Sequence, residues 1–371
     1  MKGVFWFSFL FTVYTYAGYP LWLFLRARWR ALPVRSAPIV PSVSFVMAIY
    51  NEAAALPRKL RNLAGLDYPA DRYEIVVISD GSTDSSNEIL AGWPDSRLRV
   101  AAAPRREGKA SALNRGMALA HGEIIVFTDA RQDLQRDALR HLVSNFADPS
   151  VGCVSGELML EDGGRGGSGK GVGIYWALEK KMREWEGALG STVGATGALY
   201  AMRRELVVPL PPATLLDDVY LPLQVARNGK RVIFDPRARA FDHTVATEKE
   251  FRRKVRTLTG NYQLLRLAPW LLSRENPLKF EFVSHKLFRL WVPFALLALL
   301  ASSFFLASPF YRVLLVFQVV FYGLGGAALL RPRLAFLRRA GEVASAFLVL
   351  NSAAAVALVY FLKGKKEVWV R

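Results

Sequence analysis

The two ends of the chain gather their apolar residues into long runs, and the middle alternates short apolar runs with amphipathic segments. Val4 to Leu25 is almost free of charge and, at about 20 residues, is long enough to cross a bilayer. Arg26, Arg28 and Arg30 follow it and only Lys2 precedes it. That flank pattern predicts an anchoring helix with a cytosolic C-terminal end. A cleaved signal peptide is the competing reading, but the basic residues lie on the wrong side for it. Three further runs, Leu287 to Ala307, Phe310 to Leu330 and Val343 to Leu362, are punctuated by Arg331, Arg333, Arg338 and Arg339 and by Lys363, Lys365 and Lys366. Four spans with a cytosolic middle would put the basic tail outside, against the positive-inside tendency. Either one run does not cross or the tail breaks the rule.

Between these runs, Val43 to Ile49, Tyr73 to Ser79, Leu98 to Ala102 and Glu123 to Thr128 are short and apolar. Helical spacing separates them: Leu56, Leu60 and Leu63, then a helix from about Ser85, then Ala110 to Ala120. Strands alternating with helices predict parallel βαβ units and an α/β domain. Three of these strands end in polar residues. Ligands of open α/β sheets bind at strand carboxyl ends, so Asn51, Asp80 and Asp129 are expected to share one crevice. Phe251 to Lys286 mixes Arg252, Arg253, Lys254, Arg256 and Arg266 with Tyr262 and Trp270, which suits helices in the headgroup layer. The organisation expected is therefore an anchor over 1–30, an α/β domain over 41–250, interfacial helices over 251–286, and membrane helices with a basic tail over 287–371.

Composition narrows the function. The 371 residues are 52% hydrophobic, which excludes a disordered chain. Cys153 is the one cysteine, so neither a disulfide framework nor a cysteine-built zinc site is available. His121, His141, His243 and His285 show no ligand spacing. A net charge of +18 points to an anionic partner. Membrane contact accounts for much of it, and no nucleic-acid motif accompanies the charge.

The polar motifs are Ile49-Tyr50-Asn51-Glu52, Asp80-Gly81-Ser82-Thr83-Asp84, Gly108-Lys109-Ala110-Ser111-Ala112-Leu113-Asn114, Thr128-Asp129-Ala130, Gly194-Ala195-Thr196-Gly197-Ala198 and Leu216-Asp217-Asp218. In order and spacing they resemble those of the membrane-bound family 2 glycosyltransferases of GT-A fold, the polysaccharide-synthase-like group. The resemblance implies that Tyr50, Asn51, Glu52 and Asp80 hold the nucleoside of a nucleotide sugar and that Lys109 lies near its base or diphosphate. Asp129 would bind a divalent cation, Mg²⁺ or Mn²⁺, with the diphosphate. Asp218, beside Asp217, would be the base. Arg253 and Arg256 would face the leaving diphosphate, and Gly197 and Trp176 the acceptor. The implied protein is an inverting hexosyltransferase of the plasma (inner) membrane. Its domain would be cytosolic, its partners a nucleotide sugar, membrane lipids and a glycan or lipid-linked acceptor, and its pathway exopolysaccharide or cell-envelope glycan synthesis. Transfer to polyprenyl phosphate and a non-catalytic scaffold are the alternatives.

Two departures bear on this. The place of a second metal-binding acid is Arg131, and a Gln-x-x-Arg-Trp motif is replaced at Arg253, Arg256 and Thr257. Gly164 to Lys170 reads G-x-x-x-x-G-K, but Gly171 follows instead of Ser or Thr. A mobile loop suits that stretch better than a phosphate-binding loop. On the helix expected over Tyr175 to Glu186, Trp176 and Trp185 suit either carbohydrate stacking or core packing.

Overall fold

A computed structural model describes residues 1–161, 170–243, 247–329 and 335–364. Eight strands form one mixed sheet: β1 (Val43–Ile49), β2 (Tyr73–Ser79), β3 (Leu98–Ala102), β4 (Ile124–Thr128), β5 (Asp133–Leu134), β6 (Val151–Glu161), β7 (Leu199–Arg203) and β8 (Arg231–His243), in spatial order 3-2-1-4-7-6-8-5. The four expected strands form the parallel half. β1 lies between β2, from Val43↔Tyr73 to Ile49↔Ser79, and β4, from Val43↔Ile124 to Val46↔Phe127. Their carboxyl ends share one edge. The other half was not legible in the sequence: β7 runs antiparallel to both β4 and β6, while β6 and β8 are parallel.

β1 reads as a nearly continuous apolar run because helices cover both faces of the sheet. Phe45 and Met47 pack with Leu56, Leu60, Leu139 and Leu142 on one side. Val46 packs with Ala110, Leu113, Leu221 and Val225 on the other, as alternation of strand side chains requires.

Helices Lys279–Phe304, Pro309–Leu329 and Gly341–Leu362 are long and apolar enough to cross a membrane, matching the three C-terminal runs. The N-terminal run is also helical, over Lys2–Val13 and Tyr19–Arg30 with a π-helical turn at Tyr14–Gly18. It falls outside that set of three. It packs against the Lys279–Phe304 helix, with the rings of Phe11 and Phe288 4.9 Å apart. The helix Thr247–Leu267, expected at the membrane surface, is packed into the molecule. Its Val255 and Leu264 pack with Ala353 and Ala357 of the last span and with Leu216, Val219 and Leu223 around the acidic motif. A Cβ on Gly260 would sit 2.5 Å from Leu216 Cγ, so this basic helix is pressed directly onto the acidic motif. Residues 162–169, which carry most of the glycine-rich stretch, and the basic residues at 331, 333, 365 and 366 lie outside the described residues.

Candidate active site

The loops after β1 and β2 are tied to each other before any ligand is considered. Asn51 adopts φ 52°, a left-handed conformation that asparagine tolerates better than most residues. Its Oδ1 accepts the Thr83 N–H at 2.8 Å, and its own N–H donates to Ser82 Oγ at 3.1 Å. Asp84 accepts from the Ala53 and Ser86 N–H groups. Partial desolvation raises its carboxyl, but these bonds and the Ser86 hydroxyl hold it below the ordinary range. Asp80 is buried, and both its oxygens accept backbone N–H groups, from Glu107 and Gly108, each at 2.8 Å. The Asp80-Gly81 turn therefore fixes the loop that opens the helix Lys109–Leu119. The Arg106 guanidinium lies 4.1 Å from the Tyr50 ring centroid. Glu52 lies beside them, its N–H donating to Ser86 Oγ.

That helix delivers Lys109 into the centre of the cleft. Its ammonium stands 3.1 Å from Asp129 Oδ1, at the end of β4, and 3.3 Å from Asp217 Oδ1. Asp129 is 32% open and Asp217 only 6%, so Asp129 is the carboxylate a ligand meets first. Burial lowers the lysine pKa, but Asp129, Asp217 and Asp218 together raise it above the ordinary value. Burial likewise raises Asp129, yet Lys109, Arg131 and Arg256 hold it below the usual carboxylate range. Thus Arg256, from a helix more than a hundred residues further on, acts on the same carboxylate as Lys109.

Asp217 and Asp218 occupy the first turn of the helix Asp217–Arg227, as expected of acids at a helix N-terminus. The two carboxylates diverge. Asp217 is buried and accepts from the Tyr200 hydroxyl at 3.3 Å. Asp218 Oδ2 accepts the Gly197 N–H at 3.1 Å, and no hydrogen bond holds Oδ1 among the described residues. A Cβ on residue 197 would lie 2.9 Å from Asp218 Oδ2, so glycine is what permits this approach. The helix dipole favours an ionised carboxylate. Burial and the neighbouring Asp217 outweigh the dipole and the cations Lys109, Lys286 and Arg183, and push Asp218 up to about 6.

The two tryptophans separate. Trp185 packs on the N-terminal helix, its ring 5.5 Å from Phe24. Trp176 faces the basic helix, with Arg253 6.0 Å and Lys254 5.5 Å from its ring. Its indole N–H is buried with no partner among the described residues.

Several contributors had escaped the sequence reading. Lys59 is fully buried and donates to Thr128 Oγ1 at 2.9 Å and to the Gln132 carbonyl at 2.7 Å, bracing the Asp129 loop from behind. Burial pulls its pKa down to about 7 against the attraction of Asp129 and Asp133. Its position was a signal: it shares a helix face with Leu56, Leu60 and Leu63. Arg183 donates to Thr196 Oγ1 at 2.6 Å, next to Gly197. No pattern in the sequence announced Arg183 or Lys286.

Residues 44–208 match the family model described as "Glycosyl transferase family 2". Over its whole length the chain is similar to a solved mannosyltransferase, PcManGT from Pyrobaculum calidifontis, in complex with GDP-Man and Mn²⁺. The identity is 26%, the coverage 98% of this chain and 100% of that one, and the TM-score 0.75. It is also 28% identical over 192 residues to the beta-monoglucosyldiacylglycerol synthase of Synechocystis, covering 50% of this chain and 40% of that one. With the poly-beta-1,6-N-acetyl-D-glucosamine synthase of Staphylococcus epidermidis the identity is 32% over 119 residues, covering 32% of this chain and 28% of that one. The matches span about half or less of these curated relatives' lengths.

Proposed function

From the premise that this chain carries a family 2 glycosyltransferase domain of GT-A fold, we propose that it is an active inverting transferase. It moves a hexose from a nucleotide sugar to a hydroxyl of a saccharide or lipid-linked acceptor, at the cytosolic face of the plasma (inner) membrane, in cell-envelope or exopolysaccharide synthesis. The observation that carries the reading is the divergence of two adjacent carboxylates. Asp217 turns to Lys109, which also pairs with Asp129, while Asp218, raised to about 6, keeps one oxygen without a hydrogen-bond partner among the described residues. One side is suited to a diphosphate and the other to a proton.

In the reaction the acceptor O–H gives its proton to Asp218 as its oxygen bonds to the anomeric carbon. The bond from that carbon to the diphosphate breaks, and its electron pair leaves with the nucleoside diphosphate. A base near pKa 6 is largely ionised at neutral pH, yet basic enough to assist a hydroxyl. Lys109, Arg131 and Arg256 face the developing negative charge, and electrostatic stabilisation of this kind is usually the largest contribution to such catalysis. Tyr50 and Arg106 form one wall for the base, and Asp80 anchors the loop beneath it.

Among the described residues no group of three or more His, Cys, Asp or Glu converges as a cation site. The donor set fits a cation carried in with the diphosphate, since Mg²⁺ and comparable ions are commonly held by one or two carboxylates plus substrate phosphates and waters. Asp129 would hold it, with Asp217 behind; when bound, it would neutralise charge on the leaving group.

The test is a donor screen on full-length protein in detergent, scoring release of nucleoside diphosphate with and without acceptor. GDP-mannose enters first because the solved neighbour binds it, followed by UDP-sugars. No release from any donor would refute the reading, and the non-catalytic scaffold would then stand.

A further inference from the structure

Glu179 and Glu186 lie seven residues apart on one face of the helix Lys170–Leu189, and both are buried. His285, itself buried near the start of the Lys279–Phe304 helix, stands between them. Its Nδ1 lies 2.6 Å from Glu186 Oε1 and its Nε2 3.2 Å from Glu179 Oε2. The outer sides of the acids are held as well. Arg289 pairs with Glu179 and donates to the Tyr175 hydroxyl at 3.2 Å. The Tyr19 hydroxyl of the N-terminal helix donates to Glu186 at 2.8 Å. Three helices therefore meet in one polar layer. Buried charges persist when paired and hydrogen-bonded, and the histidine serves both acids at once.

These contacts fix a proton count. A neutral imidazole carries one N–H and one bare nitrogen, and a bare nitrogen facing a carboxylate oxygen repels it. Both contacts stand at bonding distance, so His285, Glu179 and Glu186 share two protons. They form either an imidazolium with two carboxylates or a neutral ring with one carboxylic acid.

The same helix face reaches the base. Arg183, between the two acids, donates to Thr196 Oγ1 at 2.6 Å, and Glu186 Oε2 accepts the Val193 N–H at 3.4 Å. These bonds hold the loop Val193–Gly197 from behind. At its front, the Ala195 N–H donates to the Asp218 carbonyl at 2.7 Å and the Gly197 N–H to Asp218 Oδ2 at 3.1 Å.

We propose that His285 is a positioning residue for the transfer reaction: by bridging Glu179 and Glu186 it clamps the Lys170–Leu189 helix to the membrane helix, and the clamped helix holds the Val193–Gly197 loop against Asp218. The proposal rests on the transferase reading above and adds to it a residue outside the cleft. Release of the clamp lets the loop lift. Water then reaches the Asp218 carboxyl and lowers its pKa toward the ordinary range, and the oxygen is misplaced for proton transfer. The charged groups acting on Asp218 are Asp217, Lys109, Lys286 and Arg183, and all four remain when His285 is replaced. Those around His285 are Glu179, Arg183 and Glu186 on the facing helix, Lys286 and Arg289 on its own, and Tyr19.

The experiment uses the full chain in phosphatidylcholine nanodiscs, with hydrogen exchange of peptides covering Val193–Gly197 and steady-state kinetics across pH 4.5–8. His285→Ala is expected to speed exchange of the loop about tenfold and to cut kcat about tenfold with donor KM within about twofold. The midpoint of the acid limb should move from about 6 to below about 5.5. Glu186→Leu should do the same, and Glu186→Gln should recover most of the loss. Its amide supplies the second hydrogen to a neutral ring and keeps an acceptor for the Val193 N–H. Unchanged exchange and kcat in folded His285→Ala would overturn the proposal. So would an acid limb that moves upward, as loss of a nearby cation alone would cause, or equal effects of leucine and glutamine at 186. Should these variants fail to fold, Thr196→Val cuts the same clamp at its loop end without a change of shape; unchanged exchange and kcat there would also overturn it. Loosened exchange in a chain that turns over no donor would leave the clamp standing and sink the transferase reading. Turnover with both readouts unaltered in the variants would do the reverse.

Discussion

Replacing Asp218 by asparagine removes the proton acceptor while keeping an oxygen for the Gly197 N–H. Two consequences follow from one cause. The carboxyl is raised from an ordinary value of 3.8 to about 6 by burial and by Asp217. In the native enzyme, kcat/KM should therefore follow the ionised fraction, falling to about half its plateau at pH 6 and about a tenth at pH 5. The Asp218→Asn enzyme should lose about 10²–10⁴-fold in turnover and lose this pH dependence. Stability should move the other way. A carboxyl whose folded pKa lies above its unfolded value favours the fold while protonated. Stability is then lost as pH rises from about 4 to about 6, and the full cost is carried above that. Roughly two units correspond to about 3 kcal/mol, and water at the open oxygen reduces this to about 1–3 kcal/mol. The Asp218→Asn substitution is therefore expected to raise Tm at pH 7.5 and leave it nearly unchanged at pH 4. Initial rates across pH 4.5–8 and thermal melts at pH 7.5 and pH 4 check both. Normal turnover in Asp218→Asn, or a native rate still at its plateau at pH 5, would refute the assignment of the base.

The remaining expectations are more compact. Gly197→Ala sets a methyl 2.9 Å from Asp218 Oδ2 and should cut kcat at least tenfold with little change in donor KM, measured by steady-state kinetics. Arg256→Lys keeps the charge that acts on Asp129 but loses the fork, and should slow turnover at least tenfold, or about 1.4 kcal/mol of transition-state stabilisation, with vesicle association unchanged. Chelator should abolish activity and Mn²⁺ or Mg²⁺ restore it; full activity in chelator would mean that Lys109, Arg131 and Arg256 suffice. Lys59→Met removes the brace from Thr128 and Gln132, and should raise donor KM several-fold through the loosened Asp129 loop while leaving the pH profile of kcat in place.

The sequence alone determined whatever depends on near neighbours along the chain. The apolar runs ending at Ile49, Ser79 and Thr128 specify strands, since continuous apolar runs of that length suit a sheet covered on both faces. Right-handed βαβ connections then oblige their ends to meet at one edge, so Asp80 and Asp129 were legible as members of one crevice. The acids at 217 and 218 were legible as the start of a helix. Tertiary structure decided where each acid points. It turned Asp217 to Lys109 and Asp218 to Gly197, and it raised one carboxyl by burying it beside the other, an effect of surroundings that no local pattern encodes. The antiparallel half of the sheet also escaped, because pairings such as β4 with β7 join segments some seventy residues apart. The same holds for Arg183 and Lys286. Each looks like an ordinary basic residue in its own helix, and only the packing of two helices a hundred residues apart lets both charges act on Asp218.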